Sequence, residues 1–290
     1  MFDGVYCALI TPFTQEGNID FPALEKIITA NLNCGVAGFV LLGTTAETPC
    51  LTKEEKIEIV KFAKHVIAGR AKIVIGVGSN STAATVAAAK EFLEFNPEAF
   101  LIVTPYYNKP NPTGLYEHFR QVAELDKPII LYHIPGRTGL KVPVKVLAEI
   151  AQRIPQIKGI KESDYDINHI TQEAVELSNK IDIICGNDDL FPQMLALNAK
   201  GIISAASNCI PQVFVDIFKG KEPFKTFAEA YPLITACYYE TNPTCSKYIL
   251  SKLGFCKENV RLPLGPLSAE TKKKIDAVLA GADKRFLLKI

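Results

Sequence analysis

The chain has 290 residues, of which 48% are hydrophobic, and its formal net charge is +1. This length suits one large domain or two small ones. The balanced charge, without a basic run, gives no electrostatic reason to expect a nucleic acid or a membrane surface as a partner.

The cysteines and the N-terminal segment bear on the cellular compartment. The N-terminal apolar stretch is too short for a signal peptide or a membrane helix. The eight cysteines are scattered without a C-x-x-C pair, which favours buried reduced thiols over disulfides. We therefore expect a cytoplasmic protein.

Short β-rich runs alternate with helical patterns along most of the chain. The predicted strands are Val5–Leu9, Gly38–Leu42, Lys72–Gly76, Ala99–Val103, Pro128–Tyr132, Ile157–Lys161, Ile181–Cys185 and Gly201–Ser204. The helical stretches between them include Phe21–Leu32, Lys53–Ala68, Thr82–Phe95 and Pro143–Gln152. Asp20 is predicted to cap the first helix, and Thr52 with Glu55 forms a capping box for the second.

Eight successive β-then-α units predict parallel strands that close into a (β/α)8 TIM barrel, an α/β fold. The barrel is expected over residues 1–221, and a helical C-terminal extension without strands over residues 222–290. An open doubly wound sheet is the alternative fold, but the first strand lacks a G-x-G-x-x-G turn.

Lys161 is the most informative single residue. It lies in the apolar run Ile157–Ser163, on the same strand face as Gly159, which we expect to leave room for a small substrate beside the amine. Burial of a lysine is costly, but an apolar environment favours the free amine that attacks a ketone. The structural alternative is a strand-end lysine that reaches solvent.

The other polar clusters also follow predicted strands, where barrel enzymes carry their reactive groups. Thr44 and Thr45 could hold a small carboxylate, or simply form a turn and helix entry. Tyr132 could transfer protons beside Lys161, or be a core residue with its hydroxyl satisfied. Arg137 could bind a carboxylate with two hydrogen bonds, or be merely solvated.

Further clusters are interpreted as structural. Tyr106 and Tyr107 could be loop aromatics on the rim or at a subunit interface. His133 is interpreted as a packing or supporting residue. Asn187, Asp188 and Asp189 resemble a metal cluster, but Asp189 also fits a helix N-terminus, and the sequence shows no zinc-ligand spacing, so no metal is expected.

Taken together, these motifs resemble the pyruvate-dependent class I aldolase family that includes N-acetylneuraminate lyase and dihydrodipicolinate synthase. The family shares a G-[ST]-T-x-E turn, a tyrosine before an x-x-P turn and a G-[IL]-K lysine, which occur here in order as Gly43–Glu47, Tyr132–Pro135 and Gly159–Lys161. The similarity runs from about residue 4 to the C-terminal helices. Thr44-Thr45, the segment Thr104–Pro110 and Arg137 favour the dihydrodipicolinate synthase branch, also called 4-hydroxy-tetrahydrodipicolinate synthase.

The resemblance implies a lyase of lysine and diaminopimelate biosynthesis that condenses pyruvate with L-aspartate 4-semialdehyde through a Schiff base on Lys161. It also implies no metal or organic cofactor and a homotetramer made of two tight dimers. By this resemblance, a proton relay would consist of Tyr132, Thr44 and, from a neighbouring subunit, Tyr107. Thr45 and the Ile203 backbone would bind pyruvate, and Arg137 would bind the semialdehyde.

The chain departs from the family pattern in places. Ala46 replaces a usual glycine, which would cost about 1 kcal/mol if that position required φ > 0. His133 replaces a frequent asparagine, and Asn187 a common aspartate. Feedback-inhibited members bind lysine with an acidic side chain where this chain has Ala84, and Lys53 and Lys56 would repel the ligand's ammonium group, so insensitivity to L-lysine is expected.

Two other functions compete with this interpretation. One is another pyruvate-dependent aldolase on the same barrel, of the 2-keto-3-deoxy acid or sialic acid lyase type. The other is a non-catalytic barrel that binds pyruvate or lysine as a sensor. Arg137 discriminates the first, and chemical trapping of Lys161 discriminates the second.

Overall fold

The computed structural model describes residues 1–289. Within that range, eight strands form a closed barrel in which neighbours along the chain are neighbours in the sheet. The strands are β1 (Gly4–Ala8), β2 (Gly38–Leu41), β3 (Lys72–Gly76), β4 (Ala99–Val103), β5 (Ile129–His133), β6 (Ile157–Glu162), β7 (Asp182–Cys185) and β8 (Gly201–Ser204). The predicted (β/α)8 TIM barrel is confirmed.

Helices follow the strands as predicted. They are α1 (Phe21–Asn33), α2 (Lys53–Ile67), α3 (Thr82–Phe92), α4 (Pro112–Ala123), α5 (Pro135–Thr138), α6 (Val144–Arg153), α7 (Ile167–Leu177), α8 (Phe191–Ala196), α9 (Pro211–Phe218), α10 (Pro223–Ala236), α11 (Thr244–Lys252) and α12 (Ala269–Gly281). Among the described residues, none of these helices is long and apolar enough to cross a membrane.

Both predicted helix caps are present. The Asp20 carboxylate accepts the Ala23 N–H at 3.0 Å at the start of α1. At the start of α2, Thr52 Oγ1 accepts the Glu55 N–H at 3.2 Å, and the Glu55 carboxylate accepts the Thr52 N–H at 2.9 Å. Local sequence therefore sets where these two helices begin.

The chain divides into two compact units. Unit 1 comprises residues 1–3 and 73–203, and therefore β4 to β7, most of β3 and β8, and α3 to α8. Strands β5 and β6 pair in parallel, with Tyr132 opposite Lys161 and His133 opposite Glu162. Each of these strands extends one residue beyond its predicted end, which places His133 and Glu162 within the paired sheet.

Unit 2 comprises residues 4–72 and the chain from Ser204 onward. It contains β1, β2, α1, α2 and α9 to α12. The described part of the chain after Glu222 folds into three helices, in agreement with the predicted helical segment. The domain boundary at residue 221 stays a prediction.

Candidate active site

Lys161 lies near the C-terminal end of β6 and is only 7% exposed. Its Nζ lies 4.3 Å from the centroid of the Tyr132 ring, because strand pairing sets the two residues side by side. In the part of the chain that the structure describes, no carboxylate forms an ion pair with Lys161 Nζ. The structure thus excludes the alternative of a solvent-reaching lysine and brings Lys161 and Tyr132 together.

Gly186, directly after β7, gives the Lys161 side chain its space. A Cβ added at Gly186 would lie 2.0 Å from Ser163 Oγ, 2.7 Å from the Glu162 carbonyl oxygen and 3.1 Å from Lys161 Cε. Sequence reasoning named this loop but gave Gly186 no role. A strand-end glycine opposite a lysine-bearing strand was the available signal.

The expectation for Gly159 was wrong. A Cβ at this position would lie 3.1 Å from the Phe2 ring, 3.1 Å from the Asp182 carbonyl oxygen and 3.3 Å from Ile184 Cδ1. The space beside Gly159 is therefore filled by protein atoms, and the glycine serves close packing rather than substrate access.

Thr44 and Thr45 begin a short 3₁₀ turn, Thr44–Ala46, after β2. Thr45 is 4% exposed, and its Oγ1 accepts a hydrogen bond from Asn242 Nδ2 at 3.0 Å. Because the hydroxyl oxygen accepts from the amide, the Thr45 O–H remains to donate to another acceptor, as a carboxylate-binding group must. Asn242, 197 residues away in sequence, had no assigned role.

The conformation of this turn resolves the question about Ala46. The left-handed φ values fall on Leu42 and Glu47, each at 55°, while Ala46 lies within the 3₁₀ turn. A methyl group at position 46 therefore carries no left-handed penalty. Glu47 is 3% exposed and is fixed by Lys247 and by the Arg261 N–H, which donates to its carboxylate at 2.8 Å.

The remaining predicted site residues lie in the loop after β4, on α5 after β5, and in β8. Arg137 is exposed on α5, which Gly139 closes in a left-handed conformation with φ 66°. Tyr107 has φ 72° and an 89% exposed ring, so its part in a neighbouring subunit's site stays a prediction. Ile203 is buried in β8.

The Asn187–Asp189 segment connects β7 to the start of α8. Asp189 lies in the first turn of the 3₁₀ helix Asp188–Leu190 that directly precedes α8, which agrees with the expected place at a helix N-terminus, and its carboxylate accepts the Tyr165 O–H at 3.4 Å. Burial raises the pKa of Asp189. Burial, reinforced by the charge of Asp189, raises the pKa of Tyr165 to about 12. Asn187 donates to the Asp164 carbonyl oxygen at 2.9 Å.

His133 has more partners than a packing residue. Its Nδ1 lies 2.8 Å from a Glu162 carboxylate oxygen, and its ring stacks on His169 with centroids 5.1 Å apart. Glu173 lies one turn after His169 on α7. Sequence reasoning found no histidine cluster because His133 and His169 form no recognised motif, although the i, i+4 spacing of His169 and Glu173 was visible.

Comparison with known proteins identifies relatives over nearly the whole chain. The sequence profile of the Dihydrodipicolinate synthetase family matches residues 1–282. The 4-hydroxy-tetrahydrodipicolinate synthase of Brachyspira hyodysenteriae is 35% identical over 286 residues, which cover 96% of this chain and 97% of that protein. The enzyme of the same name from Aquifex aeolicus is 37% identical, with the same two coverages.

A solved structure agrees with these sequence matches. The crystal structure of dihydrodipicolinate synthase from Thermotoga maritima superimposes with a TM-score of 0.94 at 33% identity, and the match covers 97% of this chain and 98% of that one. Fold and sequence similarity therefore point to the same group of proteins.

Proposed function

Because the chain belongs to the dihydrodipicolinate synthetase family, we propose that it condenses pyruvate with L-aspartate 4-semialdehyde to give 4-hydroxy-tetrahydrodipicolinate. The chain is a Schiff-base-forming lyase, like the relatives it matches. The observation that carries the proposal is the buried Lys161, with its Nζ 4.3 Å from the Tyr132 ring and no carboxylate partner among the described residues.

The reaction begins when the neutral Lys161 amine attacks the keto carbon of pyruvate. Loss of water gives a protonated imine, which withdraws electrons so that a methyl proton leaves and an enamine forms. The enamine carbon bonds to the aldehyde carbon of the semialdehyde, whose oxygen takes up a proton. The substrate's own amine then attacks the imine carbon, closes the ring and displaces Lys161.

The other predicted residues would serve the same reaction. Tyr132 and Thr44 would transfer protons together with Tyr107 of a neighbouring subunit. Thr45, whose O–H is left available by the Asn242 hydrogen bond, and the Ile203 backbone would hold the pyruvate carboxylate. Arg137 would bind the carboxylate of the semialdehyde.

The setting of the enzyme is part of the proposal. A homotetramer made of two tight dimers would bring Tyr107 to a second subunit. We propose a cytoplasmic location, because the cysteines among the described residues are free thiols. The product would feed diaminopimelate and lysine biosynthesis, and the chemistry requires no metal or organic cofactor because Lys161 supplies the electrophile.

Borohydride reduction in the presence of pyruvate tests the central step. We expect one carboxyethyl group attached to Lys161, identified by peptide mass spectrometry, and none in Lys161→Ala. Lys158→Ala is the matched control because Lys158 lies on the same strand but is exposed, and this variant should be trapped like the wild type. Trapping elsewhere, or none in the wild type, would refute the proposed chemistry.

Substrate choice needs a separate assay. Pyruvate-dependent turnover of L-aspartate 4-semialdehyde should far exceed that of N-acetylmannosamine and simple sugar aldehydes. Arg137→Ala should raise KM for the semialdehyde, because it removes the carboxylate's partner. Activity on a neutral aldehyde, with an insensitive Arg137→Ala, would instead establish another pyruvate-dependent aldolase of the 2-keto-3-deoxy acid or sialic acid lyase type.

We also propose that the enzyme is insensitive to L-lysine. Ala84 is an exposed residue on α3 that offers no charge for the ligand's ammonium group, and Lys53 and Lys56 in the first turn of α2 are cationic. Turnover should be unchanged by millimolar lysine. Half-inhibition in the sub-millimolar range would refute this part of the proposal without affecting the trapping result.

A further inference from the structure

A buried set of ionisable side chains lies on the faces of β5 and β6 opposite to Tyr132 and Lys161. It consists of His133 and Glu162 on these strands with His169 and Glu173 on α7, which we call the His–Glu network. His133, Glu162 and Glu173 are fully buried and His169 is 8% exposed. Any charge on these side chains must therefore be stabilised by hydrogen bonds from their neighbours.

The hydrogen bonds of His133 determine its tautomer. The Val142 N–H donates to Nε2 at 3.1 Å, so that nitrogen carries no hydrogen. The ring hydrogen is then on Nδ1, which lies 2.8 and 3.0 Å from the two carboxylate oxygens of Glu162. His133 thus uses both nitrogens of its ring at once.

This tautomer argues against a metal site. The ligand atoms of His133, Glu162 and His169 lie within 4.8 Å of one another, which suits a divalent cation. A metal at Nδ1 of His133 would need the lone pair of that nitrogen, while Nε2 already uses its own for the Val142 N–H. To bind the metal, the His133 ring would have to lose its remaining hydrogen. A proton therefore suits this network better than a metal ion as the positive charge beside the carboxylates.

Glu162 is the anion of the network. Its carboxylate accepts from His133 Nδ1 and, at 2.5 Å, from the Asp164 N–H. Burial is the largest single influence and acts to raise the pKa of Glu162, but the interactions with His133, Glu173 and the Asp164 N–H together outweigh it, and the pKa lies below its usual range.

Glu173 is the proton carrier. Both of its carboxylate oxygens are buried, and neither accepts a hydrogen bond from a donor among residues 1–289. Burial, followed by the charge of Glu162, raises the pKa of Glu173 well above its usual value. A proton on Glu173 would let this group donate an O–H to the neighbouring carboxylate of Glu162 and would satisfy both groups.

The other ionisable neighbours leave this assignment unchanged. His169 Nε2 lies 3.7 Å from Glu162 and 3.9 Å from Glu173, beyond hydrogen-bond distance, and burial lowers the pKa of His169. Asp164 after β6 adds negative charge and favours the protonated Glu173, although its own ion pair with Lys141 at 2.9 Å offsets part of that effect.

We propose that Glu173 is a positioning residue whose single proton keeps Lys161 and Tyr132 aligned for catalysis. The inference rests on the proposed roles of those two residues. While Glu173 is protonated, Glu162 and His133 link the ends of β5 and β6 to α7, one residue beyond the Tyr132–Lys161 pair. Ionisation would place two adjacent buried carboxylates on β6 and α7, and their repulsion would disturb the strand end that carries Lys161.

Three variants test this proposal. Glu173→Gln keeps a donor towards Glu162 but cannot ionise, and Glu173→Ala removes the donor. Glu176→Gln makes the same chemical change on the same helix, outside the network, where Glu176 accepts from Gln172 at 3.1 Å. For each, kcat and KM for pyruvate are measured between about pH 6 and about pH 10, with borohydride trapping in parallel.

Glu173→Gln should keep kcat within about threefold of the wild type near neutral pH and move the alkaline decline of kcat upward by about one pH unit or more. Glu173→Ala should lower kcat about tenfold with little change in KM, because the alignment and not the binding of pyruvate is lost. Glu176→Gln should follow the wild type.

An alkaline decline that is identical in the wild type and Glu173→Gln would overturn the proposal. So would an unchanged kcat in Glu173→Ala. If Glu173→Ala does not fold, the pH profiles of Glu173→Gln and Glu176→Gln still decide. A wild type that pyruvate and borohydride fail to modify rejects the proposed function itself, whereas normal trapping with an unshifted Glu173→Gln profile rejects only the network.

Discussion

Two buried lysines in this chain have opposite surroundings. Lys247 on α11, in unit 2, is fully buried, and its Nζ donates to the Glu47 carboxylate and to the Asn259 carbonyl oxygen at 2.8 Å. Lys161 on β6, in unit 1, is nearly as buried, but its described neighbour is the ring of Tyr132 and not a carboxylate.

The comparison teaches that burial alone does not make a lysine reactive. Burial lowers the pKa of Lys247, and the Glu47 carboxylate opposes that shift, so the charged form is used to fix the turn that carries Thr44 and Thr45. A lysine held this way has its hydrogens and charge committed to structure. Lys161 lacks such an anion and keeps its nitrogen available to a substrate.

The largest expected effect is the loss of activity when Lys161 is replaced. Lys161→Met should lower kcat by more than about 10³-fold, because the nucleophile is lost, while the unfolding temperature stays the same or rises. Steady-state turnover and thermal unfolding measure the two effects. Residual activity close to that of the wild type would end the comparison, since Lys161 would then be structural like Lys247.

The second effect is the loss of stability when Lys247 is replaced. Lys247→Met leaves the Glu47 charge buried without its partner and should cost about 3–5 kcal/mol, seen as a large fall in unfolding temperature. The double variant Glu47→Gln with Lys247→Met removes both charges and should recover part of this loss. A small loss in the single variant, or no recovery in the double one, would contradict the assigned role.

A third prediction concerns the space that Lys161 needs. Gly186→Ala should lower kcat about tenfold or more, because its Cβ would meet Ser163 Oγ at 2.0 Å and Lys161 Cε at 3.1 Å. Gly136→Ala is the matched control, since an added Cβ there meets no atom within 4 Å. Equal kcat values for the two variants would show that the Lys161 side chain is not confined as described.

The smallest effect concerns His118, a buried histidine whose pKa is shifted by burial and not by a charged neighbour among the described residues. Burial lowers the pKa of His118 to about 4, and its Nδ1 lies 3.0 Å from Thr82 Oγ1. The folded state binds this proton less readily than the unfolded state, so stability is fully present above about pH 6.5 and is lost as the pH falls towards 4.

At about pH 5 the shifted pKa of His118 should lower the free energy of unfolding by about 2 kcal/mol relative to neutral pH. His118→Phe should therefore show a shallower fall in unfolding temperature between neutral pH and about pH 5 than the wild type. His65→Gln, a change at an exposed histidine on α2, should leave the slope unchanged. Equal slopes for His118→Phe and the wild type would refute the assignment.

The sequence by itself determined the architecture and identified Lys161 as the candidate nucleophile. Alternating strand and helix periods predicted the barrel, and side chains within three residues of each other predicted the caps at Asp20 and Thr52. Lys161 was identifiable because a lysine in an apolar strand is unusual within its own short window. These features depend on neighbours along the chain, which the sequence displays directly.

Only the tertiary structure decided which distant groups meet. Lys247 and Glu47 are 200 residues apart, and His133 and Glu162 are 29 apart, so their pairing depends on strand register and helix placement. The same holds for Gly159, whose expected open space is filled by Phe2 and Ile184. Packing between segments remote in sequence fixes these contacts, and no local periodicity encodes it.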